Sequence, residues 1–179
     1  MAQLGFHYDM SVCIGCRVCQ IACKDKNDLE VGVLYRRVFD MEKGVYPNPR
    51  LDHISLGCNH CKEPKCVQNC PTGALHKREA DGIVLHDKAK CIGCRLCTWS
   101  CPYGAPQYKE HEGKVGKCDL CADLLEKGEE PACVSACVMR ALHVGEIDEL
   151  RKKYGNTADS EGLPSSGITH PSLTITTKK

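Results

Sequence analysis

The sequence predicts a small α+β protein whose interior is organised by thiols more than by apolar side chains. Three observations point there. Sixteen of the 179 residues are cysteine, about 9% of the chain and far above ordinary soluble usage. The 42% hydrophobic content counts those cysteines; without them about 33% remains, and only nine residues are aromatic. The stretches between the cysteines carry signals for short strands and short helices. A chain of this length holds one domain or two small ones, with little apolar surface for a self-supporting core. The thiols must supply what burial does not, as disulfides, as zinc ligands or as iron–sulfur ligands.

Gly5 to Tyr8 reads as a strand leading into Cys13. Residues 17–25 hold Cys19 and Cys23 about one helical turn apart and read as a short helix. Val33-Leu-Tyr-Arg-Arg-Val-Phe39 reads as a strand, followed by a proline-containing loop at Tyr46-Pro-Asn-Pro49. Ala74 to His86 reads as a hairpin with Asp81-Gly82 at its turn. Ile147 to Tyr154 is a short helix stopped by Gly155. Residues 155–179, rich in Gly, Ser, Thr and Pro, read as an extended arm, the alternative being a disordered terminus.

The formal net charge of +1 excludes a bulk polycation, so no nucleic-acid partner is expected. Met1 to Asp9 has neither a basic region nor an apolar core of a signal peptide, and no export address of the chain's own is expected. Apolar runs are broken by charge well short of the ~18–20 residues a membrane helix needs, so the chain should not span a membrane. Disulfide frameworks belong to secreted chains, which disfavours that use of the thiols.

The cysteines fall into four groups of four: Cys13, Cys16, Cys19 and Cys23; Cys58, Cys61, Cys66 and Cys70; Cys91, Cys94, Cys97 and Cys101; Cys118, Cys121, Cys133 and Cys137. Groups one and three repeat as Cys-Ile-Gly-Cys-Arg-x-Cys-x-x-x-Cys, one metal-binding unit used twice. Two residues between thiols let a tight loop curl around an iron–sulfur cube, and Gly15 and Gly93 suit the left-handed turns of such a loop. The fourth cysteine of such a run, often followed by proline as at Cys70-Pro71 and Cys101-Pro102, ligates the other cluster in two-cluster ferredoxins. Group four alone would pass as a zinc ribbon; beside the other three it does not. Sixteen ligands then make four 4Fe-4S clusters. Groups two and three, close in sequence, resemble one two-cluster ferredoxin, and groups one and four pair across it. The expected organisation is two ferredoxin-like two-cluster lobes in a nested duplication. Residues 1–30 plus 106–155 form the first lobe and 53–105 the second, with an insertion at 31–52 and an extended C-terminal tail at 156–179.

The chain resembles the iron–sulfur electron-transfer subunits of the membrane-associated molybdenum oxidoreductases, most narrowly those of the DMSO reductase type. The resemblance runs from about Gly5 to Gly155. It is carried by Ala22-Cys-Lys-Asp25, Cys58-Asn-His-Cys61, His76-Lys-Arg-Glu79, Cys101-Pro-Tyr-Gly-Ala-Pro-Gln-Tyr108, Lys117-Cys-Asp-x-Cys121 and Ile147-Asp-Glu-Leu-Arg-Lys-Lys153. It implies that Cys13, Cys16, Cys19 and Cys137 hold cluster 1, and Cys23, Cys118, Cys121 and Cys133 hold cluster 2. Cys58, Cys61, Cys66 and Cys101 would hold cluster 3, and Cys70, Cys91, Cys94 and Cys97 cluster 4. The equivalent subunit of nitrate reductase has a tryptophan at the position of Cys94 and a three-iron cluster there; cysteine here implies four cubanes. Val138 stands where a proline would be usual, which should loosen that turn.

Four clusters in one small protein imply a wire. The resemblance makes it a non-catalytic subunit carrying electrons between a quinone-linked membrane anchor subunit, or another redox donor, and a molybdopterin (Mo or W) catalytic subunit. Its place would be peripheral to the cytoplasmic membrane, on the outer face by co-export with the catalytic subunit, or else the cytoplasm. Polysulfide, thiosulfate, formate and aldehyde enzymes have similar subunits, and a free polyferredoxin is a further reading. Arg17, Lys24, Lys62, Lys65, Arg95 and Lys117 lie within a few residues of ligands, where they either raise cluster potentials or are solvated. His60 reads as a loop residue, donation to a cluster sulfur being the other reading, and Trp99 as packing beside a cluster, an electron conduit being the other reading. Sixteen thiolates and four cores of about +2 would bring the loaded chain to about −7.

Overall fold

Short strands pair into one three-stranded sheet and three hairpins, and short helices follow the cysteine loops. The computed structural model describes residues 2–178. In chain order the elements are β1 (Leu4–Asp9), α1 (Val18–Lys26), β2 (Arg37–Lys43), β3 (Arg50–Leu56), α2 (Lys65–Gln68), β4 (Leu75–Lys77), β5 (Val84–His86) and α3 (Leu96–Ser100). They continue with β6 (Gln107–Lys109), β7 (Lys114–Gly116), α4 (Ala122–Leu125), α5 (Ala132–Ser135), β8 (Leu142–Glu146), α6 (Ile147–Tyr154) and β9 (Leu173–Thr176).

The sheet has the order β8-β1-β9, with β8 antiparallel and β9 parallel to β1. Alternation along β1 sends Phe6 and Tyr8 into the main apolar group with Ile54, Leu120, Leu142, Leu173 and Ile175. His7 points the other way, stacked flat on Tyr154 of α6 at 3.7 Å between ring centres and beside its register partner His143. Burial and the neighbouring His143 push His7 down to about 4, so it is neutral and shares a hydrogen bond of 3.0 Å with Thr176 Oγ1.

Residues 156–178 are not an arm apart from the packed chain: they pass through turns and a 3-10 turn at Ser166–Ile168 before β9. β9 completes the sheet beside β1, with Leu173 5% and Ile175 3% exposed. An Ile175→Ala variant is therefore expected to lose about 3 kcal/mol of stability. Anaerobic urea unfolding would read this as a lower midpoint at unchanged slope; a midpoint equal to the parent's would mean that β9 is only loosely docked.

One strand starts later than expected, and two hairpins bear on how the chain divides. The strand expected at 33–39 begins at Arg37 instead, because Val33, Tyr35 and Arg36 are all buried, which breaks the two-residue period. Leu34 spends its backbone N–H and C=O on the Gln107 side chain. The insertion at 31–52 does not end at a loop: β2 and β3 pair from Arg37↔Leu56 to Lys43↔Arg50. The β6–β7 hairpin, placed by sequence with the first lobe, packs with group three: Tyr108 and Val115 join Cys66, Cys97, Leu75 and Val84, and the Arg95 guanidinium lies 3.5 Å over the Tyr108 ring.

Candidate metal centre

The two Cys-Ile-Gly-Cys-Arg-x-Cys loops fold alike. Gly15 and Gly93 take φ of 68° and 70°, Arg17 and Arg95 take 60° and 62°, and α1 and α3 start at the next residue. Glycine is required at both first positions. A Cβ on Gly15 would overlap the His53 ring, and one on Gly93 the Gly113 carbonyl oxygen. In both loops the first cysteine is half-buried, the second exposed and the third buried.

Groups two and four contain a second repeat. Glu63-Pro64-Lys-Cys66-Val67 and Glu130-Pro131-Ala-Cys133-Val134 each start a one-turn helix, α2 and α5, after a proline with no N–H to lose. Each runs on through Cys70 or Cys137 to Ala-Leu-His, ending at His76 and His143. The turns after those cysteines close alike, by Gly73 N–H to Cys70 O at 3.3 Å and Arg140 N–H to Cys137 O at 3.1 Å. Val138 therefore does not loosen its turn; Arg140 adopts the φ of 51° that Gly73 supplies with 64°. α1 packs on α5, and α2 on α3.

This packing gathers the sixteen thiols into quartets. One cavity is lined by Cys13, Cys16, Cys19 and Cys137, a second by Cys58, Cys61, Cys66 and Cys101, and a third by Cys70, Cys91, Cys94 and Cys97. Cys23, Cys118, Cys121 and Cys133 are buried together; burial, then the charges of Cys133 and Cys121, push the Cys23 thiol up to about 12. The thiols surround volumes and do not converge on points: among the described residues, no three metal-ligating side chains are close enough to hold one ion.

The donor set fits a polynuclear iron–sulfur group. Burial raises Cys19, Cys23, Cys61, Cys66 and Cys118 above the usual thiol range, so a thiolate there requires a cationic core to stabilise it. Backbone N–H groups already point at sulfur: Leu120 N to Cys118 Sγ at 3.4 Å, Ala141 N to Cys137 Sγ at 3.3 Å and Leu75 N to Cys70 Sγ at 3.5 Å. Such donors favour the anionic sulfur.

Beside the quartets, His60 is more than a loop residue and takes the donor role that was the second reading of its sequence. It is fully buried, accepts the Val84 N–H on Nδ1 at 3.0 Å and so carries its proton on Nε2, 3.9 Å from Cys118 Sγ. Burial and Lys117 keep the ring neutral. Of the six cations singled out by proximity, Lys117 alone is buried, bonded to the Val84 and Cys118 carbonyls. Arg17 pairs with exposed Asp40, Lys24 binds the Leu29 and Glu30 carbonyls, Arg95 covers Tyr108, and Lys65 reaches Gln68. Lys62 is exposed, its backbone N–H bonded to His170 O. Trp99 corrects an expectation: it does not pack but stands 84% exposed on α3, because Cys97 of this one-turn helix faces inward and position 99 faces out. Arg36, 3% exposed, was missed altogether; it lies far from any cysteine motif and only its place in an apolar stretch sets it apart.

Cysteine loops of this kind, with fitted thiol quartets, define an iron–sulfur electron carrier. The chain belongs to the 4Fe-4S dicluster family. Residues 50–147 match the family described as "4Fe-4S dicluster domain", and residues 10–30 match "4Fe-4S binding domain". It is 46% identical to the B subunit of the anaerobic dimethyl sulfoxide reductase of Escherichia coli (strain K12), over 97% of this chain and 88% of that protein. The Haemophilus influenzae protein of the same name is 43% identical over 100% of this chain and 91% of that one. The B subunit of the sulfite dehydrogenase of Allochromatium vinosum is 39% identical over 83% and 71%. The chain is an electron-transfer subunit of the molybdenum oxidoreductases and is not itself the catalytic one. No helix of the described residues is long and apolar enough to cross a membrane.

Proposed function

We propose that the chain relays electrons through four 4Fe-4S clusters between a quinone-linked membrane anchor subunit and a molybdopterin catalytic subunit of the DMSO reductase type. The observation that carries this is the gathering of twelve thiols around three four-thiol cavities, with the remaining four buried together. The ligand sets follow: Cys13, Cys16, Cys19 and Cys137 for cluster 1; Cys23, Cys118, Cys121 and Cys133 for cluster 2; Cys58, Cys61, Cys66 and Cys101 for cluster 3; Cys70, Cys91, Cys94 and Cys97 for cluster 4. Contacts between the sets support a linear order. Cys118 of the second feels the charge of Cys58 of the third, and Cys66 of the third shares an apolar group with Cys97 of the fourth.

Two lobes in a nested duplication, groups one with four and two with three, are the organisation that the α1–α5 and α2–α3 packing supports. The clusters supply one-electron steps, while the chain's own loops exclude water, fix the sulfurs and present the exposed Cys16 and Cys94 near the two ends. The subunit is placed peripheral to the membrane, on the outer face by co-export with its catalytic partner. Anaerobic purification of the native complex tests all this. About sixteen irons per chain with co-purifying molybdenum or tungsten is expected, together with four interacting reduced centres in the EPR spectrum. Full iron with neither metal would overturn the catalytic partner and leave the wire. Four irons or fewer would overturn the wire.

A further inference from the structure

Arg36 is buried to 3% exposure, and among the described residues no carboxylate pairs with it. Its charged neighbours are cysteines: Cys133, Cys118 and Cys23 of the second quartet and Cys19 of the first. A charge this deep persists only against compensating charge, and here that charge is thiolate. The guanidinium lies 4.6 Å over the Phe6 ring and against Gly57, where a Cβ would come within 3.3 Å of Nη2. Its position is thus fixed on two sides. Nη1 donates to the Ser55 hydroxyl at 3.2 Å and the Ser55 carbonyl at 3.3 Å. The same hydroxyl lies 3.4 Å from Cys19 Sγ, and both residues are buried. A ligating Cys19 has no proton, so the hydroxyl proton points to sulfur while its lone pair accepts from Arg36.

We propose that Arg36 and Ser55 set the reduction potentials of the first two clusters, Arg36 as a fixed buried cation that feels thiols of both sets and Ser55 as a hydrogen-bond donor to the Cys19 sulfur of the first. The inference rests on the ligand reading above. Reducing a cluster adds one negative charge. A buried cation and an O–H···S bond both stabilise that charge more than the oxidised state, and so raise the potential. The two residues act with different reach: the hydroxyl touches one sulfur, while the guanidinium bonded to that hydroxyl acts through its charge on Cys19 and on Cys133, Cys118 and Cys23.

Redox titration of the cluster-loaded full chain, followed by EPR, separates these effects, with cluster 1 assigned through a Cys16→Ser variant. Ser55→Ala should raise the oxidised-to-reduced ratio of cluster 1 about tenfold at fixed potential, a fall of about 59 mV. Ser55→Thr, which keeps the hydroxyl, should restore the parent value. Arg36→Gln should shift clusters 1 and 2 together and leave cluster 4 unmoved, and Arg36→Lys should shift them less. Should Arg36→Gln fail to hold its clusters, Ser55→Ala decides alone. Four intact clusters with an unmoved Ser55→Ala, or an equal shift in all four, overturns this inference and spares the ligand reading. A parent chain with no signal from cluster 1 brings down both.

Discussion

Removing the iron is expected to unfold the chain, not merely to bleach it. Every apolar group in the interior is built around thiols. Cys19, Cys133 and Cys137 sit among Phe6, Tyr8, Leu120 and Ile175; Cys23, Cys58 and Cys118 among Leu29, Val33 and Tyr35; Cys66 and Cys97 among Leu75, Val84 and Val115. Without a cluster these thiols face one another across cavities, and the short helices that carry them, four of them only four or five residues long, have nothing else to hold them. The thiolates lose their counter-charge, and burial pushes Cys66 and Cys97 up to about 12 and about 11, so they bind protons where they bound iron. Arg36 is then left buried and unpaired, a loss on the order of 3–5 kcal/mol by itself. A structural metal site contributes on the order of 10 kcal/mol, against a total stability of about 5–15 kcal/mol for an ordinary domain. Anaerobic chelation followed by near-UV circular dichroism should show loss of the fixed aromatic signal and of any cooperative urea transition. A metal-free chain that still unfolds cooperatively would show that the apolar groups suffice.

Much of this was legible because metal-loop spacing is local. The Cys-Ile-Gly-Cys-Arg repeat, the Asp81-Gly82 turn and the α6 stop at Gly155 each depend on residues within a few positions, and each stands where the pattern put it. The α+β class with ferredoxin-type loops follows from the same local signals. What was not legible was set at long range. The arm's role as β9 depends on an edge of β1 more than 160 residues away. The β6–β7 hairpin lies on the group-three side because Gly93 leaves room for the Gly113 carbonyl and Tyr108 receives Arg95. Arg36 carries no motif, and proximity in sequence to cysteine selected Arg17 and Lys24 instead, both of which spend their charge elsewhere. The Glu-Pro-x-Cys-Val repeat is hidden by spacing: four residues separate Cys61 from Cys66 but eleven separate Cys121 from Cys133, which masks that groups two and four end alike.

Ligand substitutions should divide by burial and not by cluster count. Cys94 is exposed at the tip of its loop, between Gly93 and Arg95, and belongs to the only described quartet position besides Cys16 that solvent reaches freely. Cys94→Ala should therefore leave the chain folded. The resemblance to the nitrate reductase subunit, with its tryptophan at this position, implies that the site then keeps three irons. One iron fewer and a three-iron signal in the oxidised EPR spectrum are expected, with electron flow from the physiological donor at least about tenfold slower, the effect of ~1.4 kcal/mol on the limiting step. Cys118 is the opposite case. It is buried, accepts from Leu120 N–H, faces His60 Nε2 and feels Cys23 and Cys58 from two quartets. Cys118→Ala would leave the His60 donor without its acceptor, remove the negative charge facing Lys117 and open a void among the buried thiols Cys23, Cys58 and Cys133. The expected loss exceeds about 5 kcal/mol, enough to abolish a soluble folded chain. Iron content, EPR and yield of soluble protein compare the two variants directly. Equal damage from both would mean that each cluster is needed as a whole for folding and that burial of the individual thiol does not matter. Cys94→Ala folded and Cys118→Ala lost would place the structural demand on the buried middle of the wire, with the ends free to vary toward their partners.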